Sequence, residues 1–361
     1  MINDTEKLIN DVRQVSDFKG VTFSKYKKSD VKKELLKSMY DGKIEPACNW
    51  SAEFICSAHF IELWDAIILF YCKHIHMGNP NLVVYLEKRI ENFKELMRDG
   101  YVGNELALRN NPKMRALVAE IMCVCCDTDK KHSIDEVKVD EKYFDITNLT
   151  DKLKAPRTSY ASSMAKEADP KELFIATNEL AYHLSLESKN TLMACFWIEW
   201  IMEFSRLRKL KKEPCVCERR TIAKVDDKYQ CDVIWLIWDI LINQAEKVDK
   251  RIHKCVASLV SLYSLKYTTS IYKKRRFVVY CAVSLITEHV VFPQTIVGEV
   301  TKKKIISVTN QIDNVYRAIK VNEESPGTDR GFSDSKHNNL ERSMAKLNVL
   351  NDFGGKFTPR S

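Results

Sequence analysis

Two segments of this chain are too apolar to lie on a surface, and they constrain every fold it can adopt. Asn190 to Arg206 carries Trp197 and Trp200, and Asp232 to Leu241 carries Trp235 and Trp238. In each segment the tryptophans stand three residues apart, which puts them on one face of a helix. Both segments are apolar nearly all round, so each is predicted to be a central helix rather than a surface one. Between them lies a basic loop, Lys209 to Arg220, which contains Cys215 and Cys217.

A chain of 361 residues can bury a large core, and its length alone suggests about two domains. Hydrophobic residues at 45% and charged residues at 29% suit a globular protein. Only 10 glycines and 9 prolines punctuate it, which favours long helices over many short strands. Cysteines number 12 and fall in apolar runs as often as in loops (Cys56, Cys72, Cys123, Cys195, Cys255 and Cys281). The first residues are polar, without the apolar run of a secretory signal, and no stretch reaches the ~18 apolar residues of a membrane span. The expectation is a soluble protein in a reducing compartment, with free and mostly buried thiols.

Along the chain, Leu8, Ile9, Val12 and Val15 predict a short amphipathic helix within residues 1–20, and Val31, Leu35, Leu36 and Met39 a second within 29–40. A single long central helix is expected from Asn49 to His76. An Asn or Asp followed by Pro then recurs at Asn79-Pro80, Asn111-Pro112 and Asp169-Pro170, and Pro293 opens a late run to Ala318. Each marks a cap followed by proline in the first turn. Val256 to Ile271 and Phe277 to Val291 are rich in strand-forming residues, but their lengths and flanks predict helices. The fold class is therefore all-α, a bundle of about ten helices. It divides into an N-terminal helical region (1–126), a linker or long loop (127–168), a C-terminal helical region (169–320) and a disordered tail (321–361).

Candidate chemistry is thin. Cys215, Cys217 and Cys231 are one residue too close and one ligand short for a zinc site, so no metal and no cofactor is expected. Cys123, Cys125 and Cys126 sit in an apolar setting that makes thiols inert. His59, His74 and His76 lack the zincin spacing, and no phosphate-binding glycine loop occurs. Glu199 and Glu203 share a helix face among the tryptophans; they or His183 in a deep pocket would carry an enzyme reading. The most usable signal is basic. Arg206, Arg208, Lys209, Lys211, Lys212, Arg219 and Arg220 form one run, Lys273, Lys274, Arg275 and Arg276 a second, and Lys302 to Lys304 a third. Such runs suit phosphate backbones, and Tyr263, Tyr267 and Tyr272 beside the second could stack on bases. The plainer reading is a set of solvated helix ends. A net charge of +8 leans towards an anionic partner.

Four phrases (Pro46 to Glu53, Lys73 to Pro80, Leu108 to Lys113 and Cys215 to Arg220) resemble a poorly characterised family of helical proteins in large nucleocytoplasmic DNA viruses of the mimivirus and phycodnavirus kind. The resemblance spans roughly residues 45 to 245 and implies a protein of the viral factory in the host cytoplasm, or of the virion. It carries over no catalytic residue. The leading expectation is a non-enzymatic scaffold or interaction protein with a protein partner. The alternative is a nucleic-acid-binding accessory factor of replication or transcription that meets DNA or RNA through the basic runs. Basic runs joined on one face would favour the alternative, and runs scattered over several faces the scaffold.

Overall fold

A computed structural model describes residues 8–324, and among them the protein is all-α. Eleven α-helices run in chain order: α1 Lys28–Tyr40, α2 Ile44–Cys56, α3 Phe60–Phe70, α4 Leu82–Arg98, α5 Pro112–Asp127, α6 Phe174–Leu184, α7 Thr191–Leu210, α8 Val233–Val248, α9 Lys250–Tyr263, α10 Tyr272–Thr287 and α11 Glu299–Lys320. Pairing of the strand type is confined, among the described residues, to two isolated bridges, Val21 with Lys27 and His76 with Lys131. The tail expected to be disordered lies outside the described residues from 325 onward.

The chain forms two compact units. The first draws on described residues within Met1–Leu63, Phe93–Cys126 and Val300–Ser361; the second takes Trp64–Asn92 and Asp127–Glu299. In the first unit, α1 packs on α2 over a core that includes Phe18, Phe23, Leu35, Trp50 and Phe54. Buried polar groups there are satisfied locally. Glu53 accepts from the backbone N–H and the hydroxyl of Ser24 at 3.0 and 2.5 Å. Arg115 pairs with Asp313 at 2.9 Å and lies over the Tyr316 ring.

The second unit holds both tryptophan helices. Asn190 caps α7, its side chain accepting from Met193 N–H at 3.0 Å. Trp197, Trp235 and Trp238 are wholly buried. Each tryptophan pair leads its own aromatic cluster. On α7, Trp200 stacks on Phe204 with centroids 5.0 Å apart. On α8, Trp235 and Trp238 meet Tyr263 of α9 at 6.0 and 5.4 Å. The segments with strand-like composition are helical in α9 and α10, but residues 264–271 and 288–291, also expected to be helical, are turns and irregular chain.

Three expectations are corrected. Residues 8–14 are not helical, and only a 3-10 turn, Val15–Phe18, follows them. The Asn110 side chain pins this segment, accepting from Ile9 N–H and donating to Ile9 C=O, both at 2.9 Å. The long helix from Asn49 to His76 is two helices. Ala58 breaks it with φ +58°, while the N–H groups of Ala58 and His59 close the end of α2 on Ile55 and Phe54 carbonyls. The last long helix begins at Glu299 rather than Pro293, because the segment before it is tied to the Asn79 side chain, which donates to Ile296 C=O at 2.9 Å.

None of the 12 cysteines forms a disulfide, and all but Cys215 and Cys231 are buried. No helix among the described residues is long and apolar enough to cross a membrane. Ala58 carries a Cβ in a region that favours glycine, a strain of about 1 kcal/mol. Ala58→Gly is therefore expected to raise stability by about 0.5 kcal/mol in urea unfolding; a lower midpoint would contradict this account of the break.

Candidate functional site

The stretch 127–168, hereafter the strap, is not an empty linker. It carries two 3-10 helices, Glu141–Phe144 and Ile146–Lys152, and is fastened to the second unit along its length. Most of the fastenings join its main chain to side chains on the helices. Trp200 on α7 donates its indole N–H to Tyr143 C=O at 2.8 Å, while Tyr143 and Phe144 pack on Phe196 and Trp200. Glu179 on α6 accepts from the N–H groups of Lys154 and Ala155, both at 2.9 Å. Asn178 accepts from Tyr160 N–H at 2.9 Å and donates to Arg157 C=O at 2.8 Å. Arg220 donates to Met164 C=O at 3.0 Å.

Glu199 sits in the middle of another fastening. The hydroxyls of Tyr272 and Tyr280 donate to one of its oxygens at 2.6 and 2.7 Å. Tyr280 in turn accepts from Val137 N–H at 3.2 Å, and Arg276 pairs with Glu136 of the strap. Burial pushes the Glu199 carboxyl up, against the pull of the two tyrosine hydroxyls. Glu203, the second carboxylate of the suspected pair, instead pairs with Arg206 at 2.5 Å. His183 is also accounted for. Its Nδ1 meets Ser188 Oγ at 3.0 Å and its Nε2 lies 3.5 Å from Glu179, which bridges the end of α6 to the turn before α7.

The basic candidates divide sharply. Arg220, Arg275 and Arg276 are buried. Arg220 uses all five donors: Nε to Asp239 at 3.0 Å, Nη1 to Asp169 and Glu218 C=O, and Nη2 to Asp169 and Met164 C=O. Burial alone would push its guanidinium down, but the bonds from Asp169 and Asp239 outweigh that and hold it above its ordinary value. Arg275 grips Asp65 at 2.6 Å and the carbonyls of Tyr263 and Leu265. Arg206, Arg208 and Arg219 pair at the surface with Glu203, Glu172 and Asp227. Lys209, Lys211, Lys212, Lys273 and Lys274 are exposed. Lys273 lies near enough to Glu203 to help hold its carboxyl down, so the first two runs adjoin on the second unit. Lys302 to Lys304 belong to α11, and Val300–Ser361 falls in the first unit.

Beside the strap's end, a cleft of about 350 Å³ opens between Ala161, Ala165, Leu173, Phe174 and Leu236. Phe174 and its neighbour Ile175 are exposed. Among the described residues, no group of three or more His, Cys, Asp or Glu side chains could hold a metal ion. No protein-family model, no curated protein and no solved structure matches this chain.

The sequence reading passed over Asn178 and Glu179, adjacent buried polar residues on α6. Two adjacent polar side chains facing a core need main-chain partners, and that was the available signal.

Two outcomes test the strap's fastening. Arg220→Ala strands Asp169 and Asp239 beside a buried void and is expected to cost about 3 kcal/mol or more in equilibrium unfolding. Asp169 and Glu179 behave alike with pH. Burial opposes but does not cancel the bonds from Arg220 to Asp169 and from His183 and the strap amides to Glu179, and both carboxyls are held below their ordinary values. Their stabilisation is complete above about pH 4 and is lost as the pH falls through their folded values. The urea midpoint should therefore drop as the pH falls below about 4. Glu179→Gln should flatten that drop, and an unchanged slope would remove Glu179 from the account.

Proposed function

We propose that the protein is a non-enzymatic scaffold or interaction protein of a large DNA virus, acting in the virion or in the viral factory of the host cytoplasm. One observation supports the non-enzymatic part. The groups best suited to chemistry, Glu199, Glu179, His183 and Arg220, are engaged in holding a long irregular segment against the helices. A catalytic group needs an open side towards a substrate, and these face the strap, each other or, for Glu199, the tyrosines of α10. The strap turns a charged outer surface to solvent, with Lys138, Glu141, Lys142, Lys154 and Arg157 exposed, as suits a surface that meets another protein. The viral setting rests on the resemblance of residues 45 to 245 alone.

A second reading is favoured by the exposed lysines. Lys209, Lys211, Lys212, Lys273 and Lys274 are exposed on one unit and could meet a phosphate backbone, making the protein a nucleic-acid-binding accessory factor.

Binding of labelled DNA and RNA across a salt series separates the two. The scaffold reading expects no more than weak binding, little changed when these five lysines are reversed to glutamate. Affinity that falls steeply with salt and disappears in the lysine variant would put the second reading first. Arg220, Arg275 and Arg276 must stay in place in that variant, since their removal would unfold the unit rather than probe a surface.

A further inference from the structure

At the cleft beside the strap's end, apolar side chains and cations meet on open surface. Ala161, Ala165, Leu173, Phe174 and Leu236 line it, and its volume of about 350 Å³ leaves room for a large apolar side chain. Phe174 and Ile175 begin α6 and are exposed, as are Leu210 at the end of α7 and Val216 in the loop after it. Arg208 draws these pieces together. It pairs with Glu172 at 3.3 Å and with Glu213 at 3.0 Å. Both Arg208 and Glu172 lie close to the Cys215 thiol, next to Val216. Exposed apolar groups gathered beside a cleft mark a docking surface.

The charge around the cleft selects the partner. Lys171 lines it, Lys209 follows Arg208, and Lys211 and Lys212 follow Leu210. All four are exposed, and among the described residues none of them has an ion-pair partner. Lys166 also lines the cleft, but it reaches Glu218 at 3.8 Å and Arg219 C=O at 2.9 Å. Nearby carboxylates are mostly committed: Asp169 to Arg220, and Glu172 and Glu213 to Arg208. That leaves Glu167 on the cleft wall against four lysines. A helix end adds to the positive side. Neither the 3-10 turn Lys171–Leu173 nor α6, which continues it, has a side chain capping its first N–H groups. The positive end of that helix opens on the same cleft.

We propose that this cleft docks a segment of a partner protein in which a large apolar side chain is flanked by aspartate or glutamate. The apolar side chain enters between Leu173, Phe174 and Leu236, and the carboxylates meet Lys171, Lys209, Lys211 and Lys212. A phosphate backbone would satisfy the lysines but leave the apolar walls in water, so an acidic peptide is the better fit. This surface gives the interaction-protein reading, on which it rests, a partner of stated chemistry.

Random peptides displayed on phage and panned on the full-length chain at physiological salt test this. Enriched peptides should share a large apolar residue flanked by Asp or Glu. A synthetic peptide of the enriched sequence should bind more weakly as salt rises. Phe174→Ser with Ile175→Ser, and separately Lys171→Glu with Lys209→Glu, should each weaken its binding by about tenfold or more. Leu192→Ser, also exposed but at the opposite end of α7, should leave binding unchanged. Each replaced side chain is exposed, so the variants keep the fold, which circular dichroism checks. No enrichment, enriched peptides that are basic or lack an apolar residue, or binding that survives the Phe174 and Ile175 variant would each overturn the docking site. Salt-sensitive binding of DNA or RNA that is lost on reversing Lys209, Lys211 and Lys212 would overturn the interaction reading and the docking site together. Absent enrichment without nucleic-acid binding would overturn the site alone.

Discussion

Main-chain amides and carbonyls that leave regular structure and pass against a core must find partners there, because water cannot reach them. In the second unit this requirement falls on the strap, whose turns and short 3-10 helices satisfy only part of its backbone. Its partners are side chains on α6, α7 and α10 and on the loop before α8: Asn178, Glu179, Trp200, Tyr280 and Arg220. A hydrogen bond to a charged group contributes about 1.5–3 kcal/mol, roughly twice a neutral one, and two of these partners are charged. Each is braced in turn: Glu179 by His183, and Arg220 by Asp169 and Asp239.

The same logic separates lysine from arginine. All three buried basic candidates are arginines, and the eight lysines of the three runs are exposed. A guanidinium presents five donors in a fixed plane and can be satisfied inside a protein, as Arg220 is. An ammonium on a flexible stem is better left in water. A basic run in sequence therefore mixes two populations with opposite roles, and the third and fourth positions of Lys273-Lys274-Arg275-Arg276 belong to the interior.

Much of the fold was legible because it rests on local rules. The all-round apolar character of α7 and α8 and the Asn111 cap, which accepts from Lys113 and Met114 N–H, follow from neighbours in sequence. The break at Ala58 was not legible, since neither glycine nor proline marks it. Asn79 and Asp169 read as caps, yet their side chains go to Ile296 C=O and to Arg220, more than fifty residues away. Local capping lost there to tertiary demand. Glu199, Glu203 and His183 drew notice for a sound reason, since carboxylates and histidines among apolar residues must be compensated. Sequence alone could not say whether the compensation came from a substrate or from another part of the chain.

Recognition through the main chain is blind to side-chain identity. In these bonds Tyr143, Lys154, Ala155, Arg157, Tyr160 and Met164 present groups that every non-proline residue carries, although the Tyr143, Arg157 and Tyr160 side chains make contacts of their own. Selection therefore acts weakly on the exposed letters of the strap and strongly on the docking side chains far away in sequence. Related chains should diverge fastest in the segment that shapes their surface. Their kinship should survive as a sparse pattern of Asn178, Glu179, Trp200, Arg220 and Tyr280, spread over about a hundred residues and invisible to any search that expects contiguous similarity.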